Sequence, residues 1–287
     1  MAASLDLETL KKELNPEQYR AVTTTEGPIL IIAGAGSGKT RVITYRIAHM
    51  LDKGIPQSQI LALTFTNKAA KEMEERIKEL TGKKLQLLTV STFHAFGVKI
   101  LRQEITALGW RENFSIYDET DRNSLIKETG RELGFTADNL DVYKIGNLFS
   151  NIKCGRKSWN GENDMYRQLY EGYQAGLKLY NAVDFDDLIV LPIKIFRENP
   201  EILAKYRARC KYIMIDEFQD NNSKNRDLLM LLADGKQKLF FVGDEKQSIY
   251  KFRGADVSVF NNLKYELGQE AFLQMNYNYR SANELLT

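Results

Sequence analysis

The stretch that most narrows what this chain can fold into is ILIIAGAGSGKTRVITYRI, residues 29 to 47. Five apolar residues run into a loop of small ones, and helical periodicity starts immediately afterwards. A strand that is apolar along its whole length is buried on both faces, and a strand joined to a helix by a short loop opens a βαβ unit. The stretch therefore calls for a parallel sheet covered by helices. It also carries chemistry. Gly34, Gly36 and Gly38 allow close backbone approach, so the loop and the helix N-terminus can point N–H groups at a phosphate. Lys39 would reach its β and γ oxygens, and Thr40 can hold Mg²⁺. Ala33 stands where the general pattern G-x-x-x-x-G-K-[ST] has glycine, and a glycine-rich turn that happens to precede a lysine is the plainer alternative.

Further β-rich runs, ILALTFT (60–66), LQLLTVS (85–91), YIMIDEF (212–218), KLFFVGD (238–244) and AFLQM (271–275), alternate with helical patterns. That order predicts an α/β fold with a parallel sheet. Between about 110 and 190 the strand signal disappears and three amphipathic helical patterns take over, which reads as an all-helical insertion because strands resume after it. A separate second domain is the weaker reading. Forty Lys and Arg against 38 Asp and Glu leave a net charge of +2, so any nucleic-acid surface must be a local patch. Two distant cysteines, Cys154 and Cys210, and two histidines argue against a disulfide framework or a zinc site. No apolar run approaches membrane-spanning length, and the cytoplasm is the default compartment.

YIMIDEF delivers Asp216 and Glu217 to the C-terminal end of a buried strand, where open α/β sheets bind ligands. Asp216 would hold Mg²⁺ through water and Glu217 would deprotonate an attacking water. Alone, two adjacent acids are an ordinary solvated loop; together with the phosphate loop they point to nucleoside triphosphate hydrolysis. In VGDEKQSIYKFRGAD (242–256), Gln247 could sense a γ-phosphate, and Tyr250, Phe252 and Arg253 form a set suited to base stacking and backbone contact. Tyr250 could equally enter the core. In TFTNKAAKEM (64–73), Phe65 is either core or stacking platform, and Asn67 is a plausible helix cap.

The ordered motifs LNPEQYRAV, AGAGSGKT, TFTNKAAKEM, TVSTFHAFG, VDFDDL, IDEFQDNN, VGDEKQSIYKFRGAD and NYRS, spread over residues 14 to 281, closely resemble superfamily 1A DNA helicases of the UvrD/Rep/PcrA type. The resemblance implies a RecA-like P-loop NTPase sheet and ATP-driven 3′ to 5′ movement on single-stranded DNA, with ATP and Mg²⁺ as cofactors. It makes Gln18 the adenine reader and Tyr279 a ring stacked on adenine, and runs the nucleotide contacts along Ala35, Gly36, Ser37, Gly38, Lys39, Thr40 and Arg41. Thr40 and Asp216 become the metal ligands, Glu217 the base, and Gln247 and Arg280 the γ-phosphate contacts. Phe65, Asn67, His94, Phe185, Tyr250, Phe252 and Arg253 would line the single strand. By itself His94 reads as a buried or capping histidine, and VDFDDL as a helix start whose acids suit the helix dipole.

The implied domains are 1–110 with 191–280 as the RecA-like domain, 111–190 as the helical insertion, and 281–287 as the start of a second RecA-like domain, where Ser281 and Glu284 form a capping box. The expected partners are single-stranded DNA and single/double-strand junctions, without a membrane, and the piece is expected to be monomeric and weakly active alone. EKQSIYKFRGAD is also similar to helicase–nucleases of the AddA/RecB kind, and a nucleotide-dependent switch without motor activity is a further alternative.

Overall fold

The computed structural model describes residues 6–24, 29–33, 39–136, 140–161, 164–216, 223–234, 239–243 and 272–275. Ala35, Gly36, Ser37, Gly38, Glu217, Gln247, Tyr250, Phe252, Arg253, Tyr279, Arg280 and the capping box at Ser281 lie outside those residues. The chain divides into two compact units, one formed by Met1–Phe93 and Leu203–Thr287, the other by His94–Ile202.

The first unit is built on a six-stranded sheet of β1 (Ile29–Ala33), β2 (Ile60–Thr64), β3 (Thr89–Thr92), β6 (Tyr212–Asp216), β7 (Leu239–Gly243) and β8 (Phe272–Met275). Its order is β3-β2-β6-β7-β1-β8, and every pair is parallel. The apolar runs explain the sheet. Alternate residues Ile60, Ala62, Met214, Phe240 and Val242 join Leu10, Ile43, Ile47, Met50 and Met73 from the helices in one core. The intervening Leu61, Leu63, Ile213, Ile215 and Leu239 are buried as well, so both faces of these strands leave water, as parallel sheets require.

Around the sheet stand α1 (Leu7–Glu13), α2 (Pro16–Thr23), α3 (Lys39–Asp52), α4 (Asn67–Thr81) and α11 (Ser223–Ala233), and α10 (Pro200–Arg209) precedes β6. Asn15 and Gln18 close a capping box at the start of α2, with Pro16 at the first position. The cap of α4 is Thr66, whose hydroxyl accepts the Ala69 N–H at 3.1 Å; the sequence reading chose Asn67, which is the first helical residue instead. One residue decides it, because the cap must keep extended backbone while its oxygen faces the N3 amide, and Thr66 has φ −127° and ψ 152°.

The second unit contains α5 (Phe93–Glu104, all but its first residue), α6 (Glu119–Glu132), α7 (Val142–Lys153), α8 (Met165–Leu179) and α9 (Asp187–Glu198). Leu125, Ile126, Ile145, Phe149, Leu169, Tyr173 and Leu177 form its core. It is not all helical: β4 (Ser115–Tyr117) and β5 (Ala182–Asp184) pair in parallel. Three residues are too few to show a period of two, which is why these strands leave no mark in the sequence. The expected boundaries at 110/111 and 190/191 both fall inside this unit.

Candidate functional site

Strand register in the first unit defines one edge. Ile31 pairs with Val242 across β1 and β7, and Asp216 pairs with the same Val242 across β6 and β7. Asp216 and β1 therefore reach the C-terminal edge of the sheet two strand spacings apart, about 10 Å. The loop between β1 and α3 starts from that edge, and Lys39 opens α3 beyond it. Asp216 is buried at the tip of its strand, and Thr40 is half-buried on the first turn of α3.

The flank of this edge is held by α1 and α2. Arg41 donates to the Glu13 carbonyl at 2.7 Å and lies 4.8 Å from the Tyr45 ring centre. The Tyr45 hydroxyl donates to Glu13 Oε2 at 2.5 Å. Burial, and then this hydrogen bond, push the Tyr45 phenol above its ordinary range. Gln18 is fully buried, and its Oε1 accepts the Asn15 N–H at 3.1 Å. Arg46, also buried, donates to the carbonyls of Ala21 and Thr24 and covers the Phe240 ring at 4.1 Å. One buried cation thus fixes the end of α2 against α3 and β7.

Phe65 follows β2, whose Leu63 pairs with Ile215. It emerges one strand from Asp216, about 5 Å, with half of its surface in water. Of the two readings open for Phe65, core and platform, exposure removes the first. Asn67 is exposed beside it.

In the second unit, two residues far apart in sequence meet. The rings of His94 and Phe185 stack at 3.9 Å with an interplanar angle of 13°. Phe185 remains 59% exposed, so its free edge is available for contact. Burial lowers the His94 pKa below the ordinary imidazole value, against the opposing charge of Asp186, and keeps the ring neutral near pH 7. Phe185 also borders a cleft of about 420 Å³ with Tyr117, Arg122 and Ser150, a volume in the range of small-molecule sites.

Two features of this stack escaped the sequence reading. Gly97 lies one helical turn after His94, and a Cβ there would sit 1.8 Å from the Leu188 carbonyl oxygen. Leu188 itself follows Phe185 by three residues, so the approach of α5 to α9 at Gly97 is what lets the rings touch. The only signal was the glycine in TVSTFHAFG. The second feature is buried charge. The carboxylates of Asp184 and Asp187 each accept the other's backbone amide at 3.0 Å, at the start of α9. Lys153 reaches Asp184 at 2.6 Å and Asp187 at 3.1 Å, and the Tyr173 hydroxyl donates to Asp184 at 3.0 Å. The acids of VDFDDL were expected to serve the helix dipole; Asp184 and Asp187 are instead buried around a lysine.

Residues 14–267 match the UvrD/REP helicase N-terminal domain. The chain is similar to the ATP-dependent DNA helicase PcrA of Staphylococcus epidermidis, with 41% identity over 289 residues, which cover 98% of this chain and 40% of the relative. With PcrA of Staphylococcus aureus the identity is 40% over the same coverage. This chain spans about 40% of the length of these curated relatives. It belongs to the UvrD/REP helicase N-terminal domain family.

Proposed function

We propose that the chain is the ATP-binding part of an ATP-dependent DNA helicase or translocase that moves 3′ to 5′ on single-stranded DNA in repair or replication. The observation that carries this reading is the shared sheet edge, where the end of β1, Asp216 on β6 and Phe65 after β2 lie within two or three strand spacings. Family membership and the names of the relatives support it. Gln18 and Tyr279 would hold adenine, Ala35 to Arg41 the phosphates, and Gln247 and Arg280 the γ-phosphate. Glu217 accepts the proton of the attacking water. The Thr40 hydroxyl and the Asp216 carboxylate are hard oxygen donors of the kind Mg²⁺ takes, and when bound it would neutralise charge on the β and γ oxygens.

Single-stranded DNA, or its junction with a duplex, would run over Phe65, Asn67, Tyr250, Phe252 and Arg253 of the first unit and over His94 and Phe185 of the second. Phe65 stands one strand from Asp216, so a shift of the nucleotide edge reaches a base platform through one pair of hydrogen-bonded strands. In this reading the first unit is the RecA-like domain, the second its insertion, and residues 281–287 open a second RecA-like domain. The proposed compartment is the cytoplasm, in keeping with Cys154 and Cys210 as buried free thiols.

In the protein that contains this chain, Lys39→Ala should abolish most nucleotide affinity by removing the phosphate counter-charge. Glu217→Gln should bind ATP yet lose DNA-stimulated hydrolysis and strand displacement, since only the proton acceptor changes. Parent-like nucleotide binding by Lys39→Ala overturns the phosphate loop; parent-like turnover by Glu217→Gln overturns the base.

A further inference from the structure

We infer that Lys153, held between buried Asp184 and Asp187, is a positioning residue that fixes the Phe185 ring on His94 and so sets the base-stacking surface of the second unit. The inference rests on the single-stranded DNA reading above. Its starting point is a mismatch between exposure and order: Phe185 is 59% exposed, yet it makes a close parallel stack with a half-buried histidine. An exposed aromatic at a turn between a three-residue strand and a helix has little burial to hold it in that pose. Its neighbours in sequence do the holding. Asp184 closes β5 and Asp187 opens α9, and their reciprocal amide hydrogen bonds draw residues 184 to 187 into a fixed turn.

Two carboxylates brought together in a buried turn repel each other unless a cation stands between them. Lys153, the last residue of α7, supplies that cation with its side chain 3% exposed. Asp184 receives Lys153, the Tyr173 hydroxyl and the Asp187 amide, and the ammonium keeps its carboxyl below the usual range despite burial. Asp187 receives Lys153 and the Asp184 amide, and burial raises its carboxyl. The lysine's own pKa is driven above its ordinary value by the two acids, although burial opposes them. The ammonium therefore joins the end of α7 to both ends of the turn that presents Phe185. Without it Asp187 takes a proton or the turn opens to hydrate the acids, and in either case the end of α7 no longer holds the turn that keeps Phe185 on His94.

The test uses the chain with Lys153→Met, Phe185→Ala and the two changes together. Two readouts apply: affinity for a labelled oligothymidylate by anisotropy, and the proton shifts of the His94 ring, which a stacked Phe185 displaces by ring current. The chain has only two histidines, so His49→Gln assigns the spectrum. Phe185→Ala should weaken oligonucleotide binding by roughly 5- to 150-fold, the range for one lost base stack. Lys153→Met should give a comparable loss, move the His94 shifts towards free-imidazole values, and add nothing in the Phe185→Ala background. Additive losses, or unchanged His94 shifts in Lys153→Met, overturn the positioning role. Unchanged affinity in Phe185→Ala overturns the DNA reading instead and leaves the His94 shifts to decide the positioning. If Lys153→Met fails to fold, Lys153→Met with Asp184→Asn and Asp187→Asn removes all three charges. That variant should also lose the stack, and parent-like shifts and affinity in it overturn the inference.

Discussion

Gly97→Ala is the sharpest test of how the second unit sets its aromatic stack. The added Cβ would lie 1.8 Å from the Leu188 carbonyl oxygen and 2.8 Å from its carbon, where ordinary contacts start at 3.4 Å. The obstacle is backbone of α9, so no side-chain rotation relieves it, and α5 and α9 must part by about 1.6 Å locally. Overpacking of this kind costs about 1–3 kcal/mol, and a backbone obstacle belongs at the upper end. Alanine recovers about 1 kcal/mol of helix propensity, leaving a net loss of about 2 kcal/mol. The consequence for the site is larger than for stability. His94 and Phe185 stand one turn before Gly97 and Leu188, so the rings, now 3.9 Å apart, separate beyond stacking contact. Urea unfolding should give a lower midpoint at unchanged slope, with oligonucleotide affinity reduced as in Phe185→Ala. Gly176→Ala on α8 is the control, since the nearest atom to its Cβ would be in the movable Leu125 side chain at 3.0 Å. A Gly97→Ala chain as stable as the parent, with parent affinity, would refute the argument that α5 and α9 touch through backbone here.

Two further outcomes follow from buried cations and imidazoles. Arg46→Ala should cost about 3 kcal/mol by urea unfolding, because the buried Ala21 carbonyl and the part-buried Thr24 carbonyl lose a charged donor and Phe240 loses its covering guanidinium; Arg46→Lys should recover only part, and a loss under about 1 kcal/mol would contradict the role given to the guanidinium. Burial lowers the pKa of both His49 and His94, so each contributes stability that is complete above the unfolded value of about 6.5 and is lost as pH falls through the folded one. Asp187, raised by burial, acts in the opposite sense over the acidic range, so the comparison is between the parent and His49→Gln/His94→Gln. The parent should lose more stability than the double variant on going from pH 7.5 to 5.5, and identical slopes would refute the histidine assignment.

The parallel sheet was legible because β2, β6 and β7 are short apolar runs buried on both faces, and β1 spans the very residues its apolar run occupies. Positions fixed locally were legible too: Asp216 ends its strand as the pattern requires. What the sequence hid is set by partners distant along the chain. Thr66 and Asn67 are both good caps, and only backbone geometry separates them. β4 and β5 exist because residues 115–117 and 182–184 find each other, which three-residue segments cannot announce.

VDFDDL is the instructive case. Read locally, three acids at a helix start satisfy the dipole and belong in water, where they cost nothing. Buried, Asp184 and Asp187 would be untenable alone, and the residue that changes the sign of the argument is Lys153, 31 positions before Asp184. A lysine at the end of α7 likewise reads as an ordinary favourable charge at a helix C-terminus. Each half looks like a solvated surface feature, and only their meeting makes a buried ion cluster. The same holds for His94 and Phe185, and for Gly97 and Leu188. Three pairings, each invisible along the chain, converge on one turn of backbone between β5 and α9. A turn so heavily fixed holds its one exposed aromatic ring still, and the base platform proposed for Phe185 needs that rigidity, because stacking contributes only when the ring is already in place.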